Sequence, residues 1–264
     1  MKKSIFKFTM LAFVGCMMMI LAGCSAQENK LAKGVKEANK ECPIDMGMGF
    51  SIERMAYENG DVVFTYVLND EIVNLEELKK NPDLLKQAVT ASLSNPTGDV
   101  KALLDLAAEE KAALRFVFKG KQKGKSVDVR LTPDELKTAA NDTSVTPEDK
   151  LKASVEAANA TFPQVVDPSI TVEKMVIEGN NVVYYYEVDE DIVGMNSLKS
   201  GSDDLKANVR NALVLGGQAM AAFIEMVLDT DHGVIYRYVG NKSGEKLDVL
   251  FAPDELREIL KSIK

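Results

Sequence analysis

The chain repeats itself. Residues Leu31–Leu136 align without a gap on Leu151–Leu256, an offset of 120 positions, and 29 of the 106 pairs are identical. The matches come in blocks. Glu58, Val62, Val63 and Tyr66 pair with Glu178, Val182, Val183 and Tyr186, and Pro133-Asp134-Glu135-Leu136 pairs with Pro253-Asp254-Glu255-Leu256. A period of this length describes tandem domains rather than a solenoid of short units. Whatever one copy folds into, the other must fold into as well. The copies are placed at residues 25–140 and 146–264, joined by a short polar linker near Ala140–Val145.

Each copy can therefore be read twice. The opening segment, Gln27–Lys40 or Pro147–Thr161, suits a helix. Thr146 supplies a capping hydroxyl, Pro147 fits the first helical position, and Glu148 and Asp149 favour the positive end of the helix dipole. Ser25-Ala26-Gln27-Glu28 fits a capping box in the first copy. Strands follow. Val62, Phe64, Tyr66 and Leu68 alternate, as do Val182, Tyr184, Tyr186 and Val188. Further on, Leu114, Phe116 and Phe118 match Val234, Tyr236 and Tyr238, and Val127, Val129 and Leu131 match Leu247, Val249 and Phe251. Period two with one apolar face marks half-buried strands. Asn59-Gly60 and Gly179-Asn180 are turn signals between them. Helical segments lie between the strand pairs, broken at Asn95-Pro96 and at Gly216-Gly217. The order predicts an α+β fold: two tandem copies of a helix-hairpin-helices-hairpin-helix domain, each a four-stranded antiparallel sheet with helices on one face. Met46-Gly47-Met48-Gly49 reads as a flexible lead-in to a strand.

The N-terminus has a different character. Lys2, Lys3 and Lys7 precede an apolar run from Phe8 to Ile20, and no acidic residue occurs before Glu28. The apolar stretch to Gly23 is about 16 residues, short of the ~20 that a spanning helix needs. A basic start, a short apolar core and small residues before a cut describe an export signal, here residues 1–23. Its last residues with the next, Leu21-Ala22-Gly23-Cys24, resemble the lipobox of bacterial lipoproteins. The resemblance implies a diacylglyceryl group on the sulfur of Cys24, cleavage before that cysteine and often a further acyl group on the new amine. One acyl chain holds a protein marginally and two or three hold it stably, at about 0.8 kcal/mol per buried CH₂. The implied location is the cell envelope, facing outside the cytoplasm. Ser25 rather than Asp after the cysteine implies the outer membrane if the cell has one.

Composition narrows the partners. Net charge is −8 for the whole chain and −11 once the three signal lysines are gone. That argues against a nucleic acid, and against an anionic-lipid surface as the main partner. With Cys16 in the signal and Cys24 lipidated, only Cys42 is left, so no intrachain disulfide is expected.

Few constellations carry chemistry. The single histidine, His232, lies in Asp229-Thr230-Asp231-His232-Gly233, which could hold a metal. Its counterpart, Glu109-Glu110-Lys111-Ala112-Ala113, keeps neither the histidine nor the glycine, so a helix end with Gly233 as the stop is the better account. One Cys and one His cannot make a zinc site, no serine sits in a nucleophile-elbow pattern, and no phosphate-cradling loop or dinucleotide fingerprint implies a cofactor. Cys42 pairs with Phe162 and reads as a small apolar group. Acidic pairs remain. Asp70 and Glu71 occupy the positions of Glu190 and Asp191, just past a strand, and are the candidates for binding a cation or a basic partner. The plainer account is a solvated strand end. Lys119, Lys121, Lys123 and Lys125 form a basic turn that is weaker in copy two.

The function expected is a lipid-anchored, non-enzymatic envelope protein that binds a protein or a small ligand through its duplicated domains, with the join between copies as a natural site. The alternatives are a carboxylate-dependent envelope hydrolase acting on glycan, which needs two acids converging within about 5–10 Å, and a structural spacer. No motif assigns the repeated module to a named family.

Overall fold

The computed structural model describes residues 30–47, 50–69, 74–94, 96, 98–121 and 125–263. Cys24, Asp70, Glu71, Met48, Gly49 and Lys123 lie outside them.

The fold is α+β, in two similar halves. The first runs α1 (Lys30–Ala38), a 3-10 turn (Asn39–Glu41), β1 (Ile44–Gly47), β2 (Phe50–Glu58), β3 (Asp61–Leu68), α2 (Leu75–Lys80), α3 (Pro82–Ser92), α4 (Gly98–Glu109), β4 (Ala113–Gly120), β5 (Ser126–Leu131) and α5 (Pro133–Asn141). The second repeats this as α6 (Pro147–Asn159), β6 (Gln164–Asp167), β7 (Ile170–Glu178), β8 (Asn181–Val188), α7 (Met195–Ser200), α8 (Ser202–Leu215), α9 (Gly217–Leu228), β9 (Gly233–Gly240), β10 (Lys246–Phe251) and α10 (Pro253–Ile263).

Each half builds a five-stranded mixed sheet, in the orders β1-β2-β3-β4-β5 and β6-β7-β8-β9-β10. This corrects the expected four-stranded antiparallel sheet in two ways. First, β1 and β6 add an edge strand, with Ile44 opposite Ile52 and Gln164 opposite Val172. At four residues each they are too short to display an alternation, and the glycines of the first copy disguise it further. Second, β3 and β4 run parallel, Phe64 beside Phe116, as do β8 and β9, Tyr184 beside Tyr236. Alternation tells which face a residue takes and says nothing about strand direction. The intervening helices α2–α4 and α7–α9 form the crossover that a parallel neighbour requires. Burial of the central strands follows. Val62–Tyr66 and Val182–Tyr184 are buried on both faces.

The inner face of each sheet holds an aromatic ladder along its parallel pair. In the first half Phe64 stacks on Phe116 at 5.5 Å and Tyr66 on Phe118 at 4.9 Å. In the second, Tyr184 stacks on Tyr236 at 5.5 Å and Tyr186 on Tyr238 at 5.0 Å. The outer face carries ion pairs instead: Arg130–Asp61 and Arg115–Asp128 in the first half, and Arg237 with Asp248 and Glu178 in the second.

The helix starts follow their local chemistry. Thr146 accepts from the Asp149 N–H while the Asp149 carboxylate accepts from the Thr146 N–H at 2.9 Å, a complete capping box. Thr132 and Glu135 make the same box at α5. Lys111 and Asp231, which end α4 and α9, are equivalent positions and both adopt a φ of 53°. Between α8 and α9 the chain bends by 108° at Gly216-Gly217.

The two halves touch. Helix α6 packs on α3, where Ala88 meets Ala157, both within 3% of complete burial. Helix α9 reaches β1, and Ala219 joins the core of the first half. Lys150 donates to the Ser94 carbonyl across the join at 2.6 Å. Among the described residues, no single helix is long and apolar enough to cross a membrane.

Candidate functional site

The sequence candidates find structural employment. Glu190 lies just past β8, where its carboxylate accepts the backbone N–H groups of Lys242 at 2.8 Å and Ser243 at 2.7 Å. Its own N–H donates to the Asn241 side chain at 3.1 Å. Those two N–H donors hold the Glu190 carboxyl below its ordinary range. The neighbouring Asp191 pairs with the Lys242 ammonium. Glu190 thus braces the turn between β9 and β10 through one of its carboxylate oxygens. Asp70 and Glu71 lie outside the described residues.

His232 is buried, with Nδ1 2.8 Å from the Thr230 carbonyl and Nε2 3.9 Å from Glu148. Among the described residues, no group of three or more His, Cys, Asp or Glu side chains converges as a metal ion would require. Cys42 packs against the first core, and loss of solvent pushes its thiol pKa up, the opposite of what a nucleophile needs.

A different place offers room. A groove of about 650 Å³ runs between α3 and α5 in the first half and ends at the linker. Asp83, Lys86, Gln87 and Thr90 line it from α3; Asp134, Glu135 and Thr138 from α5; Asp142 and Val145 from the linker. Glu135 is its electrostatic centre. It receives the Lys86 ammonium at 2.6 Å and the Thr132 N–H at 2.8 Å. The ammonium, and then the Thr132 N–H, hold its pKa down to about 2. Asp142 is held below its ordinary range by Ser144, first through the hydroxyl and then through the N–H. The threonine hydroxyls donate inward, Thr90 to the Lys86 carbonyl and Thr138 to the Asp134 carbonyl. Lys86 is the one cation among the lining residues against four carboxylates, so the wall carries an excess of acidic groups.

The second half has the same central pair among different neighbours. Lys206 and Glu255 reproduce the Lys86–Glu135 pair, also at 2.6 Å. Around that shared pair the side chains differ. Where the first half has Thr90, Ala91, Thr138 and Ala139, the second has Arg210, Asn211, Glu258 and Ile259. The walls of the groove thus carry smaller residues in the first half than the same positions carry in the second. Reading single motifs misses these positions, because none is chemically conspicuous. The signal that finds them is the difference between the two copies.

No family model and no curated protein matches the chain. Among solved structures, the chain is similar to a candidate secreted protein of Pseudomonas aeruginosa, at 12% identity and a TM-score of 0.36, over 42% of this chain and 93% of that one.

Proposed function

We propose that the protein is a lipid-anchored, non-enzymatic binding protein of the cell envelope, held to its membrane through Cys24, and that it takes its partner in the groove between α3 and α5. The observation that carries the reading is the groove itself, walled by smaller side chains than the second half has at the same positions and lined by an excess of carboxylates. Such a wall suits a partner that presents cationic groups or N–H donors, a segment of an envelope protein or a basic small ligand. The export signal and the Leu21-Ala22-Gly23-Cys24 motif supply the location.

The hydrolase reading fares worse on the same carboxylates. General acid catalysis on glycan needs a carboxyl whose pKa is raised toward neutrality. Glu135 and Asp142 are both shifted the other way.

The test is site-specific crosslinking in intact cells. A photoreactive residue replaces Gln87 on the groove wall or, as control, the exposed Ala207 at the equivalent place in the second half. An adduct from position 87 alone, lost on competition with excess unlabelled chain, is the expected result. Equal adducts from both positions, or none from either, would count against the groove.

A further inference from the structure

The faces of α1 and α6 that correspond through the repeat meet different surroundings. In α6, Lys150 and Ala157 face the first half, with Ala157 packed on Ala88 and Lys150 bonded to Ser94. In α1 the same positions are Lys30 and Glu37, both exposed. At about 100° per residue, Lys30, Lys33 and Lys36 fall in one sector of roughly 120° on α1, and Lys40 follows in the 3-10 turn beside it. Leu31, Val35 and Ala38 are buried on the side directly opposite. Lys30, Lys36 and Lys40 are exposed and Lys33 is half-exposed. Glu37 is the sole acid within the sector. Lys40 pairs with it, and Lys36 and Lys33 add to the field that holds its carboxyl below the ordinary range. A chain with a net charge of −8 therefore presents a compact basic face on its first helix.

That helix begins six residues after Cys24. We propose that the basic face of α1 docks on the anionic headgroups of the membrane that holds the lipid anchor. The inference rests on the anchor reading above. The lipid keeps the chain at the surface, and lysines held that close to an anionic surface are attracted to it. The acidic remainder of the chain sharpens the effect. Its charges are repelled by the same surface, and attraction fades beyond a screening length of about 10 Å. The net result is an orienting force that turns α1 toward the bilayer and the rest away from it. The overall acidity excludes a general affinity for anionic lipid and leaves this one face as the exception.

The experiment uses the full chain purified with its lipid. Intact mass first establishes whether Cys24 carries acyl groups. The protein is then reconstituted into vesicles of phosphatidylcholine, with or without about 30% phosphatidylglycerol, and its lysines are modified with an amine reagent. Lys30, Lys33, Lys36 and Lys40 should react about fivefold more slowly in the anionic vesicles, and recover in about 0.5 M salt. Lys261, on the last helix, should react alike throughout. Equal reaction of the α1 lysines in both vesicles overturns the docking while leaving the anchor intact. Protection that is the same without anionic lipid also overturns it, because that is shielding by proximity rather than recognition of charge. A chain without acyl mass overturns the anchor, and the docking with it.

Discussion

The two halves share a sheet, a crossover and a pair of capping boxes or their equivalents, yet they have specialised in opposite directions. The second half has the more polar core and the more apolar crossover. Phe64, Phe116 and Phe118 become Tyr184, Tyr236 and Tyr238, while Lys101, Asp105 and Ala108 on α4 become Ala221, Glu225 and Leu228 on α9. The first half keeps an ordinary hydrocarbon core and solvated helices, and opens a groove. What the copies hold in common describes the fold. What they do not hold in common marks the surfaces that do something: α9 covers β1 of its neighbour, α3 receives α6, and the groove opens beside the linker.

The largest consequence concerns the buried tyrosines. Burial raises the pKa of Tyr186, Tyr236 and Tyr238 in the second half, and of Tyr66 alone in the equivalent ladder of the first. An unfolded tyrosine releases its proton near pH 10, whereas the folded ones retain it. Their contribution to stability is full below about pH 10 and declines as pH rises, by about 1.4 kcal/mol per pH unit for each group. At about pH 11 the second half should therefore lose about 4 kcal/mol and the first about 1.4 kcal/mol. Urea unfolding at about pH 9 and pH 11, with proteolytic fragments assigned to each half, reads this directly. Equal loss in both halves would break the comparison.

Next in size is the swap across the crossover helices. Ala221 is 1% exposed on α9, while Lys101 at the same position of α4 is exposed and paired with Asp105. Ala221→Lys places an ammonium where no water reaches, and is expected to cost 3 kcal/mol or more, as an order of magnitude. Lys101→Ala should change stability by less than about 0.5 kcal/mol. Chemical denaturation of the two variants measures both. A mild effect of Ala221→Lys would mean that α9 does not need its apolar second face.

How much of this was legible beforehand depends on the kind of signal. The strands that alternate, such as Val62–Leu68, and the helix announced by Thr146-Pro147 lie where the sequence puts them, because period and capping act locally. The β1 and β6 strands were missed because four residues carry too little pattern. The parallel pairing of β3 with β4 was missed because direction depends on the crossover, a property of the whole half. The acids past β8 illustrate another kind of signal. The partners that Glu190 has on the following turn, Lys242 and Ser243, are more than 50 residues away in sequence, so the local pattern does not show them. Glu135 caps the start of α5 through a local contact with Thr132, but its second partner, Lys86, lies 49 residues back.

A feature that both halves share should cost the same in each. Glu135 and Glu255 each accept the backbone N–H that starts a helix, and each meets a lysine from the crossover. Glu135→Gln keeps an acceptor for the Thr132 N–H but gives up a half-exposed ion pair and the negative charge at the helix start, each worth a few tenths of a kcal/mol. About 0.5–1 kcal/mol is the expected loss, with a similar figure for Glu255→Gln. The native pair also predicts a pH window. The folded pKa of Glu135 is lowered from 4.5 to about 2, so its contribution is complete above pH 4.5 and disappears as pH falls toward 2. Acid titration of stability in the wild type and in Glu135→Gln should converge at the low end. Curves that stay parallel would show that the carboxylate was not the cause.

The smallest effect on the fold is also the most informative about function. Thr90→Arg with Thr138→Glu gives the first half the side chains that its twin carries at Arg210 and Glu258. Thr138 is exposed and Thr90 half-buried on the groove wall, so both new side chains can extend into the open space without displacing the core. The hydroxyls they replace donate to carbonyls of their own helices, one turn back, a contribution of a few tenths of a kcal/mol. The double variant should melt within about 1 kcal/mol of the wild type. Its crosslinking from position 87 should nevertheless vanish, because the space that accepts the partner is gone. A stable variant that still crosslinks would show that the partner reads some other surface, and that the open groove is only a gap left by small residues. Loss of the adduct with the fold intact would turn the difference between the two halves into the difference between a binding domain and its scaffold.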